Sequence, residues 1–276
     1  MIRLLAIICT ALFATLVHSQ DSDGGTEATL DTLFGALDIE GTIEVMHQEG
    51  LTYGEQIAED LFGDSQNAAW SATLRKIYVR ERMIQLVETE MATELDGVNL
   101  EPLIAFFTSQ SGRKIVAFEV SARRAFMDTK TEEEALIRLE NAEREDTEVL
   151  GQVETIISDS DLIESNVMGS LNSSLMFYRG LADGGGYDLD ETEMLRTVWS
   201  QEDDTRAETE SWLRSYLLMS YSSVPPEELE TYAALYRTPE GKALNRALFS
   251  AFNQMYDELS YLLGLAAADF MNSEKL

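Results

Sequence analysis

Apolar residues in this chain recur mainly with the period of a helix. Between residues 131 and 157 they fall at Ala135, Leu139, Ala142, Val149, Val153 and Ile156, in steps of 4, 3, 7, 4 and 3. Asp146 fills the skipped position, so the spacing predicts one acidic helix with a nearly heptad seam. Near the C-terminus Leu244, Leu248, Ala251, Met255, Leu259, Leu262 and Ala266 step by 4, 3, 4, 4, 3 and 4. Residues 74–95 carry Leu74, Ile77, Ile84, Val87, Met91 and Leu95 on one stripe. Strand-like alternation is scarce. The four prolines, Pro102, Pro225, Pro226 and Pro239, each stand near an expected helix start, where a missing N–H costs little. The expected fold class is all-α, as tandem helical repeats.

Local signals sharpen some of these elements. Thr131 with Glu134 has the spacing of a capping box, as does Asp190 with Glu193. Glu134/Arg138 and Glu140/Arg144 are i,i+4 pairs in the favourable order.

The chain contains an internal echo. At an offset of 129, Leu100, Glu101, Ala105 and Gly112 recur as Leu229, Glu230, Ala234 and Gly241. Phe107 becomes Tyr236, Ser109 becomes Thr238 and Arg113 becomes Lys242; Ser121, Ala122 and Asp128 return as Ser250, Ala251 and Asp257. At an offset of 130, Met46, Gly50 and Leu51 return as Met176, Gly180 and Leu181. Two divergent helical units are expected, at 29–128 and 159–276, joined by an acidic helix over 129–158. The stretch 130–160 has 10 acidic and 3 basic residues.

The most similar segments share the motif aromatic-x-Ser/Thr-x-x-Gly-basic: Phe107, Ser109, Gly112 and Arg113, then Tyr236, Thr238, Gly241 and Lys242. Ser109 and Thr238 are good N-caps, Pro239 suits the first helical position, and a glycine at the third lets another backbone pack close. The motif specifies a tight helix-turn-helix corner. A second reading makes it an anion site, in which Ser109, Gly112 and Arg113, or Thr238, Gly241 and Lys242, hold a carboxylate or phosphate at a helix N-terminus.

The segment Tyr236-Arg237-Thr238-Pro239-Glu240-Gly241-Lys242 resembles the (F/Y)-x-S/T-P-x-G-x-K signature of a bacterial exported family, domain of unknown function number twenty fifty-nine. Its Lys comes one residue early. In the first copy Gln110 replaces the Pro while Lys114 keeps the family spacing. Pro225-Pro226-Glu227-Glu228-Leu229 is similar to the acidic helix start of that family. The resemblance implies an all-helical periplasmic protein and assigns no activity and no catalytic residue.

Charge and export narrow the chemistry. The 276 residues carry 20 Lys+Arg against 50 Asp+Glu, a net charge of −30, which opposes binding to nucleic acid or anionic lipid. Residues 1–19 read as a signal peptide, with Arg3 before the uncharged apolar run Leu4 to Val17 and Val17-His18-Ser19 before cleavage. The run is short for a membrane span, and no transmembrane segment is expected in the mature chain. Residues 20–28 are polar and are expected to be disordered. Cleavage removes Cys9, the single cysteine, and leaves His47 as the remaining histidine. A disulfide, a thiol nucleophile and a zinc site of two or more His or Cys ligands are thereby excluded within one mature chain. No metal and no cofactor is expected.

The remaining candidates are diffuse. His47 has no visible nucleophile or orienting partner. Asp159-Ser160-Asp161 and the stretch from Asp183 to Asp190 are acidic enough for calcium but lack the EF-hand pattern and read better as a loop and a cap. Eight of the ten tyrosines, with Trp199 and Trp212, lie in the second half and could line an apolar groove with polar tips. The expected function is a non-enzymatic binding or structural module of the envelope, periplasmic or secreted, serving a protein or small ligand, with a groove between the units edged by Arg113 and Lys242. The alternatives are a carboxylate-based, metal-assisted hydrolase and an acidic helical chaperone.

Overall fold

The computed structural model describes residues 25–63, 67–188 and 190–273. The described chain is all-α. In the first half, α1 (Gly25–Ala36), α2 (Ile39–Phe62), α3 (Ala68–Ile77), α4 (Arg80–Glu94), α5 (Glu101–Phe107) and α6 (Gln110–Ala125) follow one another. Next come α7 (Thr129–Glu145), α8 (Glu148–Asp159), α9 (Leu162–Asp183), α10 (Glu191–Trp199), α11 (Glu202–Tyr221), α12 (Pro226–Tyr236) and α13 (Pro239–Ser273). None of them is long and apolar enough to cross a membrane. The expected leader, residues 1–19, lies outside the described residues. Residues 25–28, expected to be disordered, form the first turn of α1.

Two stripes that the spacing joins are broken in the fold. The acidic helix ends at Asp146, which turns left-handed at φ 51°, and α8 restarts after Thr147. Aspartate tolerates that conformation better than most residues. The start of α7 also differs from expectation. Asp128 occupies the N-cap position, and Thr131 donates to its carboxylate at 2.9 Å rather than forming a box with Glu134. The 74–95 stripe is interrupted at Tyr78, whose φ of −88° and ψ of 60° separate α3 from α4. The capping box at Asp190 and Glu193 forms as the spacing predicts.

The same pattern of neighbours occurs twice. In the first half α2 packs on α1, α3, α4 and α6, while α5 packs on α1 and α6. In the second half α9 packs on α8, α10, α11 and α13, while α12 packs on α8 and α13. Between the halves α4 lies on α13 and α11 lies on α6, and α13 also packs on α2, α3 and α5. One main apolar core therefore runs through both halves, from Leu33 to Ala268. Its spine is α13, 35 residues or about 52 Å long. The closest crossing is α9 on α13. A Cβ on Gly264 would lie 2.1 Å from the carbonyl oxygen of Phe177, and one on Gly180 would lie 2.2 Å from that of Tyr261. Only glycine permits that approach.

Candidate functional site

The two motif corners are built alike. Ser109 Oγ accepts from the Gly112 N–H at 3.1 Å, and Thr238 Oγ1 accepts from the Gly241 N–H at 3.0 Å. A Cβ on Gly112 would lie 2.2 Å from the Phe106 carbonyl oxygen, and one on Gly241 would lie 2.1 Å from that of Leu235. Capping and close approach thus account for the serine, the threonine and both glycines. Arg113 and Lys242 are exposed. Arg113 borders a shallow groove with Thr32, Gly35 and Asp38, and Lys242 is not part of that groove.

The polar interior lies further along α6. Its buried stripe runs Ile115, Val116, Glu119, Ala122 and Arg123, so two charged residues one turn apart occupy core positions. Both are 5% exposed. Glu119 is held from the second half. The Tyr221 hydroxyl donates to its Oε1 at 2.5 Å, the Tyr232 hydroxyl donates to the same oxygen, and Tyr216 donates to its backbone carbonyl at 2.9 Å. The Tyr221 and Tyr232 oxygens are themselves 3.0 Å apart. Burial raises the Glu119 carboxyl to about 7, against the pull of the two tyrosine hydrogen bonds. Burial, with the nearby Glu119 charge, likewise raises the Tyr232 hydroxyl well above its ordinary value.

Arg123 points its guanidinium at α2. Nε and Nη2 donate to the two Glu49 oxygens at 3.0 and 2.8 Å, a bidentate pair, and Nη2 also reaches the Tyr256 hydroxyl at 3.4 Å. Burial works against the arginine charge, but the Glu49 carboxylate and neighbouring groups outweigh it and raise the guanidinium pKa. Burial pushes the Tyr256 hydroxyl up to about 12, so it stays protonated.

This ion pair forms part of the wall of a cavity of about 250 Å³. Helix α2 supplies Met46, Glu49, Gly50 and Tyr53; the α3–α4 break supplies Tyr78; Phe126 and Met127 come from the end of α6, Trp212 from α11, and Tyr256, Leu259 and Ser260 from α13. The break at Tyr78 has a consequence here. Its ring lies against Gly50, where a Cβ would come within 2.3 Å of it. Trp212 stacks on Tyr216 with centroids 4.6 Å apart, and Phe126 meets both rings edge-on. The Tyr53 hydroxyl oxygen is buried and has no hydrogen-bond partner among the described residues. Burial raises its pKa, so it remains a neutral phenol.

The other sequence candidates are placed elsewhere. Asp159 pairs with Arg237 at 2.8 Å, Asp183 accepts from the Tyr261 hydroxyl at 3.0 Å, and Asp190 caps α10. No group of three or more His, Cys, Asp or Glu side chains is placed to hold a metal among the described residues. His47 is half-buried on α2, two residues from Glu49, and is not part of the cavity wall. Trp199 stands 48% exposed on α10, away from the cavity, whereas Trp212 lines it.

Neither periodicity nor motif spacing singles out Glu49, Tyr53, Tyr78, Glu119 or Arg123. A signal for two of them is nevertheless present in the sequence. At the offset of 129 that aligns the motif, Glu119 matches Leu248 and Arg123 matches Phe252, both buried in α13. The partner Tyr232 matches Leu103, also buried. Charge thus stands on α6 where the second half has apolar side chains.

Compared with known proteins, the chain matches no family model, no curated protein and no solved structure.

Proposed function

We propose that this protein is an exported binding module, built from two related helical units, that holds a small ligand in the cavity between α2, α6, α11 and α13. The observation that carries the reading is the buried polar construction beside that cavity. Burying Glu119 and Arg123 costs free energy that apolar side chains would avoid. The matching positions of α13 hold Leu248 and Phe252, so helices of this architecture pack without those charges. Of these groups Arg123, with its partner Glu49, stands in the cavity wall, and a polar pair that packing does not require there is the kind that orients a ligand.

The duplication rests on the constant sequence offset, the paired corners and the repeated pattern of helix neighbours. Export rests on the leader-like residues 1–19. Binding without chemistry is favoured because the buried acid at Glu119 is enclosed by tyrosines and is not part of the cavity wall.

The test is a calorimetric and thermal-shift screen of single-ring and short-chain compounds against the folded chain, repeated on Met127→Trp. Met127 lines the cavity and is 42% exposed, so a larger ring there obstructs the cavity without entering the core. Saturable binding that Met127→Trp abolishes at unchanged Tm is expected. Hits that bind equally well to both proteins would place the site elsewhere.

A further inference from the structure

We propose that the cavity takes an organic cation: a single ring or short apolar body carrying an amine or quaternary ammonium head. The inference rests on the binding role just proposed and concerns the chemistry of its ligand.

The charges in the wall are unequal in access. In the Arg123–Glu49 pair the arginine side chain is 6% exposed and the glutamate side chain 31%. The guanidinium also lines the wall, but it is the more buried partner and is already engaged through Nε and Nη2. What an incoming ligand meets is the carboxylate. The surrounding field has the same sign. Helix α2, which supplies Glu49, has no lysine or arginine along its length and also carries Glu55, Glu59 and Asp60, besides Glu40 and Glu44, which pair with Arg80 of α4. The whole chain has a net charge of −30. Such a field concentrates cations at the surface and repels carboxylates and phosphates.

The rest of the wall suits the same ligand. Tyr53, Tyr78, Phe126, Trp212 and Tyr256 supply aromatic rings, whose faces attract an ammonium. A volume of about 250 Å³ admits one ring with a short tail and excludes a folded peptide segment.

Three probes with a shared phenyl body separate the possibilities: 2-phenylethylamine, 2-phenylethanol and 3-phenylpropanoate, titrated calorimetrically into the full mature chain at pH 7 and moderate salt. Ethylamine, which lacks the ring, measures general attraction to an acidic surface. The amine is expected to bind about tenfold tighter than the alcohol, with phenylpropanoate weaker still and ethylamine undetected. Glu49→Gln should erase the advantage of the amine over the alcohol. Phenylpropanoate binding as tightly as the amine, or an amine advantage that survives Glu49→Gln, would overturn the cation assignment while leaving the binding role intact. If none of the ring-bearing probes binds folded protein, the cavity reading and this inference fall together. Should Glu49→Gln fail to fold, the ranking of the three probes on the unaltered chain still decides the sign of the ligand.

Discussion

The Tyr221 hydroxyl on α11 donates a 2.5 Å hydrogen bond to the Glu119 carboxylate on α6, with both side chains buried. This contact joins the two halves at one of their crossings, and the burial of Glu119 there makes stability depend on pH. Glu119 titrates at about 7 in the fold against an ordinary value of 4.5. The native state therefore holds its proton where the unfolded chain has released it. Stability from this group is complete below pH 4.5 and declines as pH rises through 7, by about 3 kcal/mol in total. Glu119→Gln removes that dependence while keeping an acceptor for the tyrosines. Urea unfolding should show the variant about 2–3 kcal/mol more stable than the parent at pH 8.5, with the difference vanishing near pH 4.5. A constant difference across that range would contradict the buried titration.

The two members of the Arg123–Glu49 pair should respond unequally to truncation. Glu49→Ala leaves a guanidinium buried without its carboxylate, which costs about 3–5 kcal/mol. Arg123→Met leaves a carboxylate whose side chain is 31% exposed and which water can partly solvate. A cost of about 1–2 kcal/mol is expected there. Denaturant midpoints of the two variants test the order.

The motif glycines and caps should behave as structure. Gly112→Ala and Gly241→Ala each drive a methyl into a carbonyl oxygen and should cost about 2–3 kcal/mol. Gly151, exposed in α8 with nothing within 4 Å of an added methyl, provides the control; Gly151→Ala should gain about 0.5–1 kcal/mol. Ser109→Ala should cost about 1 kcal/mol by leaving the Gly112 N–H unmet. Thermal melts of the set check the signs, and unchanged phenylethylamine binding in Ser109→Ala would separate the corner from the ligand site.

Tyr53→Phe should divide stability from binding. Its hydroxyl is buried with no partner among the described residues, so removal relieves an unmet polar group and should stabilise the empty protein by about 1 kcal/mol. The ring that lines the cavity is kept, and the buried hydroxyl does not face it, so phenylethylamine binding should be unchanged. Loss of stability, or weaker binding, would contradict a buried hydroxyl that meets neither protein nor ligand.

Helix content, the capping box at Asp190 and the twin corners at Ser109 and Thr238 were legible in the sequence because each is set by residues within about four positions of one another. The stripe from Leu244 to Ala266 likewise became the continuous α13. Local periodicity could not locate the breaks at Tyr78 and Asp146, since an apolar stripe runs through both. At Tyr78 the geometry suits a partner distant in sequence, the ring being laid on Gly50.

The candidate site shows the same division. Composition and spacing are enough to establish an acidic, helical chain with one histidine beyond the expected leader, and an echo at 129 residues whose mismatches at Glu119 and Arg123 put charge in an apolar stripe. Only the tertiary structure decided that Arg123 meets Glu49, 74 residues away, and that Glu119 meets Tyr221 and Tyr232, 102 and 113 residues away. A charge on a core face fixes the need for a partner, because burial is costly unless it is answered. Which partner answers it depends on how α11 crosses α6 and α2 lies beside it, and that is a property of the packed helices rather than of any one of them.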